Sequence, residues 1–164
     1  MERTALIYYS LDGHTHLIAE KMSKQLNCPT IRLKLVQEFS STSKFFKYFW
    51  AGKSSVFHEK PALENTTIDL KEYETLIIAT PVWAGNISSP VRSFLTNNSI
   101  EGKQVYLVAI DSGGSFSKVF SSMHRLLQNS NVQNEIGFVK VTKDSYSSHQ
   151  EKLEAFCNEI LTSK

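Results

Sequence analysis

Cysteine is nearly absent. Cys28 and Cys157 are the only two in 164 residues, far apart and in no Cys-x-x-Cys pair, which excludes a disulfide scaffold and a zinc knuckle and leaves two buried or half-buried free thiols. Long apolar runs are missing too. The longest lie near Ala5 to Tyr9 and Val105 to Ile110, far short of the roughly 20 residues of a membrane helix. The N-terminus lacks a secretory signal's charged-then-apolar pattern. Cytoplasmic residence without membrane insertion is therefore the expectation, and the Asn-x-Ser/Thr triplets at Asn65, Asn86 and Asn97 are chance matches. No charge dominates either. The 18 basic and 16 acidic residues give a formal net charge of +2 with no basic stripe, so nucleic acid is not an expected partner. Glycine and proline number only seven and four, which excludes collagen-like repeats and, with 41% hydrophobic and 21% charged residues, disorder. The expectation is one folded domain over residues 1–164 with a single core.

The apolar residues that are present fall into two periods. Arg3 to Tyr9 reads as a strand, followed by the loop Ser10 to His16 and a helix with Leu17, Ile18, Met22 and Leu26 at helical spacing. Thr30 to Leu35 alternates Ile31, Leu33 and Leu35 with Arg32 and Lys34, the pattern of a half-covered outer strand. Ser40 to Phe57 is rich in aromatics and predicts a short helix ending at Gly52. Its Phe45/Phe49 and Phe46/Trp50 pairs are four apart, the spacing of a buried helix face, with a lid or partner surface as the other reading. Residues His58 to Asp69 read as loop. Glu74 to Pro81 is a nearly continuous apolar run suited to a central parallel strand, and leads through the loop Pro81 to Ser89 to a helix starting near Pro90 with Val91, Phe94 and Leu95 inward. Lys103 to Ile110 repeats the strand pattern and ends in Asp111-Ser112-Gly113-Gly114. A helix carrying Val119, Phe120, Met123, Leu126 and Leu127, a fifth strand from Ile136 to Val141, and a closing helix from about Ser148 to Leu161 complete the chain.

Strands alternating with helices require crossovers, and right-handed crossovers place helices on both faces. The expected fold is α/β: a doubly wound five-stranded parallel sheet in the order 2-1-3-4-5. Ligands in such sheets bind beyond the carboxyl ends of the strands where the order reverses, which selects three loops. The first, Ser10 to His16, has no lysine and is not a Walker motif. It joins the hydroxyls of Ser10 and Thr15 to Gly13 and a helix start, where open N–H groups suit a phosphate monoester; Asp12 or Thr15 acting only as a helix cap is the competing reading. The second places Trp83, followed by Ala84, Gly85 and Asn86, at a strand end, positioned to stack on a planar ligand or to pack beneath the loop. The third, Asp111 to Gly114, offers small residues and open backbone to the polar edge of a flat ring, or is a plain turn.

Together these loops resemble the short-chain members of the flavodoxin family, over essentially the whole chain. Ser10, Gly13 and Thr15 meet the family's Ser/Thr-x-Thr-Gly-x-Thr loop, with Asp12 in place of a hydroxyl residue and His14 in place of a common asparagine. Ala79 to Leu95 resembles the second flavin loop and its helix. The resemblance implies FMN as cofactor. Ser10, Leu11, Asp12, Gly13, His14 and Thr15 would hold its phosphate, Pro81, Val82, Trp83, Ala84, Gly85 and Asn86 would flank the ring, and Ser112, Gly113 and Gly114 would meet its pyrimidine edge. The Asp12 carboxylate would repel the phosphate unless it turns away, and a protonated His14 would offset it. Gly85 tolerates positive φ, so a peptide there can turn its carbonyl toward the ring.

No insertion interrupts the fifth strand and no Gly-x-Gly-x-x-Gly is present, so FMN is favoured over FAD or NAD. The expected function is a flavodoxin-like flavoprotein that carries electrons between redox partners, whether a partner protein or a small acceptor, through a non-covalently bound flavin; no catalytic side chain is required. The sequence pI of about 8.5 departs from the acidity of many electron carriers. That keeps open a reductase taking hydride from NAD(P)H to a quinone-type acceptor, with Phe45 to Trp50 as a lid. A flavin-free regulatory module on the same topology is the reading from another class, although Thr80-Pro81 stands where a receiver domain needs aspartate. His14 and His16 lack a carboxylate or cysteine to complete a metal site. Arg92 and Arg125 are expected to face solvent or partners.

Overall fold

The computed structural model describes residues 3–37, 44–65 and 67–163, the side chains of residues 44–46 excepted. The strands are β1 (Thr4–Tyr8), β2 (Thr30–Arg32), β3 (Thr75–Trp83), β4 (Asn86–Ile87), β5 (Gln104–Asp111) and β6 (Asn131–Val139). The helices are α1 (His14–Leu26), α2 (Lys44–Val56), α3 (Ser89–Asn97), α4 (Ser117–Leu126) and α5 (Gln150–Thr162), the last entered through a 3₁₀ turn at Tyr146–His149.

Five strands pair in parallel in the order β2-β1-β3-β5-β6, and β4 adds an antiparallel pairing to the end of β3. The expected doubly wound order is present, with β4 as a sixth strand. Central β1, β3 and β5 are apolar on both faces because helices cover both. Alternation divides the core. Ala5, Ile7, Leu76, Ile78 and Leu107 pack with Val91, Phe94, Val119 and Met123 beneath α2, α3 and α4. Leu6, Ile77, Ala79 and Val108 pack with Ile18, Met22, Phe156 and Ile160 beneath α1 and α5. A one-residue slip in β3 would exchange these two sets, so both cores fix its register. Cys28 and Cys157 are both buried and unbridged.

Four local expectations are corrected. The segment after Pro81 is not loop: β3 continues to Trp83 and turns back into β4, with Val82 opposite Ile87 and Trp83 opposite Asn86. The two-residue turn has Ala84 at φ 49 and Gly85 at φ 74, the positive angles whose twist matches that of a hairpin. Secondly, α2 does not stop at Gly52 but runs to Val56. A Cβ on Gly52 would lie 4.0 Å from that of Ala84, an ordinary contact, so neither space nor backbone angle makes this glycine a stop and the helix runs through it. Thirdly, Tyr48, Phe49 and Trp50 are about half exposed, while Ala51, Ser54 and Ser55 face inward. The Phe45 and Phe46 side chains lie outside the described residues. Finally, β6 begins at Asn131, five residues before the expected Ile136, because the neighbouring β5 supplies its pairing from Gln104 onward.

Candidate cofactor-binding site

At the carboxyl ends of β1, β3, β5 and β6 lies a cavity of about 460 Å³, within the roughly 300–1,000 Å³ typical of small-molecule sites. Its first wall is the loop between β1 and α1. Gly13 caps α1 at φ 91, ψ −8, a left-handed angle that a β-carbon would strain. The loop is tied by Ser10, whose Oγ accepts the Gly13 N–H at 3.1 Å and the His16 N–H at 3.2 Å. Ser10, not Asp12 or Thr15, therefore satisfies the helix start. The Leu17 N–H is spent on the Gly13 carbonyl. The His14 and Thr15 amides of the first turn find no acceptor among the described residues, as the geometry of a helix start requires. That turn offers donors and a positive dipole end to an anion.

Asp12 turns toward α2. The Tyr48 hydroxyl lies beside its carboxylate: burial first, and then interaction with that carboxylate, raise the Tyr48 pKa. Part of the Asp12 charge is thereby directed away from the first turn. The second wall is the end of β3, where Pro81, Val82 and Trp83 line the cavity. Trp83 is only 7% exposed and meets Tyr9 edge-on, ring centres 5.6 Å apart at 89°. It is thus both packed inward and part of the wall. The third wall is Asp111 and Ser112. The two Asp111 carboxylate oxygens accept the amides of Ser112 at 2.8 Å and Ser115 at 3.1 Å, which fixes the turn.

Nine of the residues selected from sequence line this cavity: Ser10, Leu11, Asp12, His14, Thr15, Pro81, Val82, Trp83 and Ser112. Gly13, Ala84, Gly85, Asn86, Gly113 and Gly114 do not; they shape the turns that present the others. Asp111, named in the third loop but given no role there, also lines the cavity, and sequence reading missed the trio Lys140, Val141 and Thr142 beyond β6. The rule that ligands sit beyond carboxyl strand ends applies equally to the fourth parallel crossover and would have found them. Among the described residues no His, Cys, Asp and Glu cluster could hold a metal, and no helix is long and apolar enough to cross a membrane. Arg125 is exposed as expected, but Arg92 is buried.

A family model described as Flavodoxin matches residues 3–153. The chain belongs to the flavodoxin family. No curated protein matches it. Among solved structures, this flavodoxin resembles a provisionally assigned flavoprotein of Bacteroides uniformis, at 16% identity and TM-score 0.76 over 96% of this chain and 98% of that one. A Lactobacillus acidophilus flavoprotein in complex with FMN aligns at 20% identity and TM-score 0.69, covering 93% of this chain and 99% of its own. Fusobacterium nucleatum flavodoxin bound to flavin mononucleotide aligns at 14% identity and TM-score 0.60, over 99% of both chains. At such identities the likeness is one of fold, and the residues of this flavodoxin's own cavity carry the argument about what it holds.

Proposed function

We propose that the protein binds FMN non-covalently in the cavity between the three loops and uses it to carry electrons between redox partners. One observation carries the reading: the open amides of His14 and Thr15 and the indole of Trp83 border the same 460 Å³ space. A phosphate monoester suits the first, and a planar ring suits the second. Gly13 at positive φ and the engagement of Asp12 with Tyr48 make the loop fit the phosphate. When bound, the flavin supplies the one- and two-electron chemistry. The chain orients it and excludes water: the first turn fixes the phosphate, and Pro81 to Trp83 confine one side of the ring.

A reductase passing electrons to an apolar acceptor is the second reading, and one observation favours it. Tyr48 borders both the cavity and an apolar groove of about 520 Å³ lined by Phe49, Val56 and Phe57, which gives such an acceptor a place beside the ring. Purified protein saturated with FMN and titrated anaerobically with NADH and NADPH separates the two. The carrier keeps its colour until a chemical reductant is added, whereas the reductase bleaches rapidly with a pyridine nucleotide. Protein that takes up no FMN overturns both.

A further inference from the structure

Outside the cofactor cavity, the seam between α2, α3 and α4 gathers polar atoms that the rest of the fold leaves unmatched. Arg92, one turn into α3, is 7% exposed, and its Nε and Nη2 have no hydrogen-bond partner. These two nitrogens form one edge of the guanidinium, the edge that grips an oxyanion through two parallel N–H bonds. Ser89 lies three residues earlier on the same helix face, and Ser54 on α2; both have buried hydroxyls without a partner. Ser55 holds α2 over the seam by donating to the Ile87 carbonyl at 2.6 Å.

Further cations bear on this fork: burial first, and then the charge of Arg125, lower the Arg92 pKa. Lys118 brings its Cδ within 3.8 Å of where a Cβ on Gly85 would stand, and Arg125 donates through Nη2 to Ser122 Oγ at 3.2 Å. His58 is held below its usual pKa, first by Arg92 and then by burial, Lys118 and Arg125. Among the described residues no carboxylate lies within ion-pair distance of Arg92, Lys118 or Arg125. A guanidinium taken out of water with no anion beside it is among the costliest arrangements in a protein interior.

We propose that this seam is a second anion site, which holds a phosphoryl group of a small molecule on the Arg92 fork, with the Ser54 and Ser89 hydroxyls, Lys118 and Arg125 as further donors. A carboxylate would be exhausted by the fork, whereas a phosphoryl group has a third oxygen for the serines and outer cations. The fork is enclosed, so the anion enters by displacement of the segment from Val56 to His58, which is exposed and carries His58 at φ 55. Lys118 beside Gly85 sets the site one hairpin away from Trp83, so a molecule anchored there reaches toward the cofactor cavity. The inference stands independently of what that cavity holds.

The test titrates inorganic phosphate into purified protein in excess FMN, which keeps the first loop occupied, against chloride at equal ionic strength. Thermal midpoint and phosphorus-31 line width are followed. The expected result is a saturable rise in midpoint with phosphate alone, and half-saturation about ten-fold higher in Arg92→Gln and in Arg125→Gln. Arg125 is exposed, so its variant keeps the proposal testable if Arg92→Gln fails to fold. No saturable response in the parent protein overturns the site. So does an unchanged response in Arg125→Gln, or one abolished by Thr15→Val, which would place the ion at the first loop.

Discussion

Ser10→Ala removes one oxygen from a residue 3% exposed, and with it the only acceptor among the described residues for the Gly13 and His16 amides. Loss of a helix cap costs about 1 kcal/mol, and up to about 2 when the donors are poorly solvated. Two amides are orphaned here in a part-buried loop, so the expected loss is about 1.5–2 kcal/mol. In a domain of this size that lowers the thermal midpoint by about 3–8 °C, measurable by circular dichroism on flavin-free protein. The same oxygen holds the loop in the shape that presents the His14 and Thr15 amides. Ordering the loop then falls to the ligand, and FMN affinity drops about ten-fold for each 1.4 kcal/mol, measured by quenching of flavin fluorescence. A variant whose midpoint stays within about 1 °C of the parent, with FMN affinity unchanged, would refute the view that Ser10 organises the site.

Tyr48→Phe removes the hydroxyl that engages Asp12; the unengaged carboxylate should weaken FMN binding several-fold at low salt, with the effect fading as salt rises. Gly137→Ala would drive a Cβ into the Phe116 ring. Overpacking of this kind costs about 1–3 kcal/mol, and urea denaturation should show most of it recovered by a second change, Phe116→Ala. Burial above all, then Cys28 and Glu154, push the Cys157 thiol up to about 12 from its ordinary 9.0. The folded chain thus keeps a proton that the unfolded chain releases. This contribution to stability is complete below about pH 9 and declines from there toward about pH 12, so urea midpoints of Cys157→Ala should fall less steeply above pH 9 than those of the parent.

The order of elements and the first and third loops were legible because they rest on local pattern. Leu76 to Ala79 and Val105 to Ala109 are runs that only a doubly covered strand accommodates, and Gly13 needs nothing beyond its own φ. What was not legible depends on distant partners. Nothing near Val82 and Trp83 in sequence says that the chain turns on Ala84, since alanine disfavours positive φ and only the pairing with Asn86 and Ile87 holds it there. Gly52 resembled a helix stop because glycine commonly follows a last helical turn, whereas α2 runs on to Val56 and is tied to the hairpin through Ser55 and Ile87, 32 residues apart in sequence. Phe45/Phe49 and Phe46/Trp50 have the spacing of buried pairs, yet Phe49 and Trp50 are about half exposed, and small Ala51, Ser54 and Ser55 take the inner face because α2 rests close on the hairpin. Arg92 looked like a surface cation because its helix is roofed by a segment that precedes it by more than thirty residues.

The two outermost strands have a consequence for how copies of this molecule treat one another. β2 is three residues long, with exposed Lys34 two residues past its end, while β6 has exposed Asn131, Gln133 and Glu135 along its first half. Neither margin gives a foreign extended chain a flat, greasy template to zip onto. At high concentration both margins therefore disfavour the growth of fibrils by strand addition.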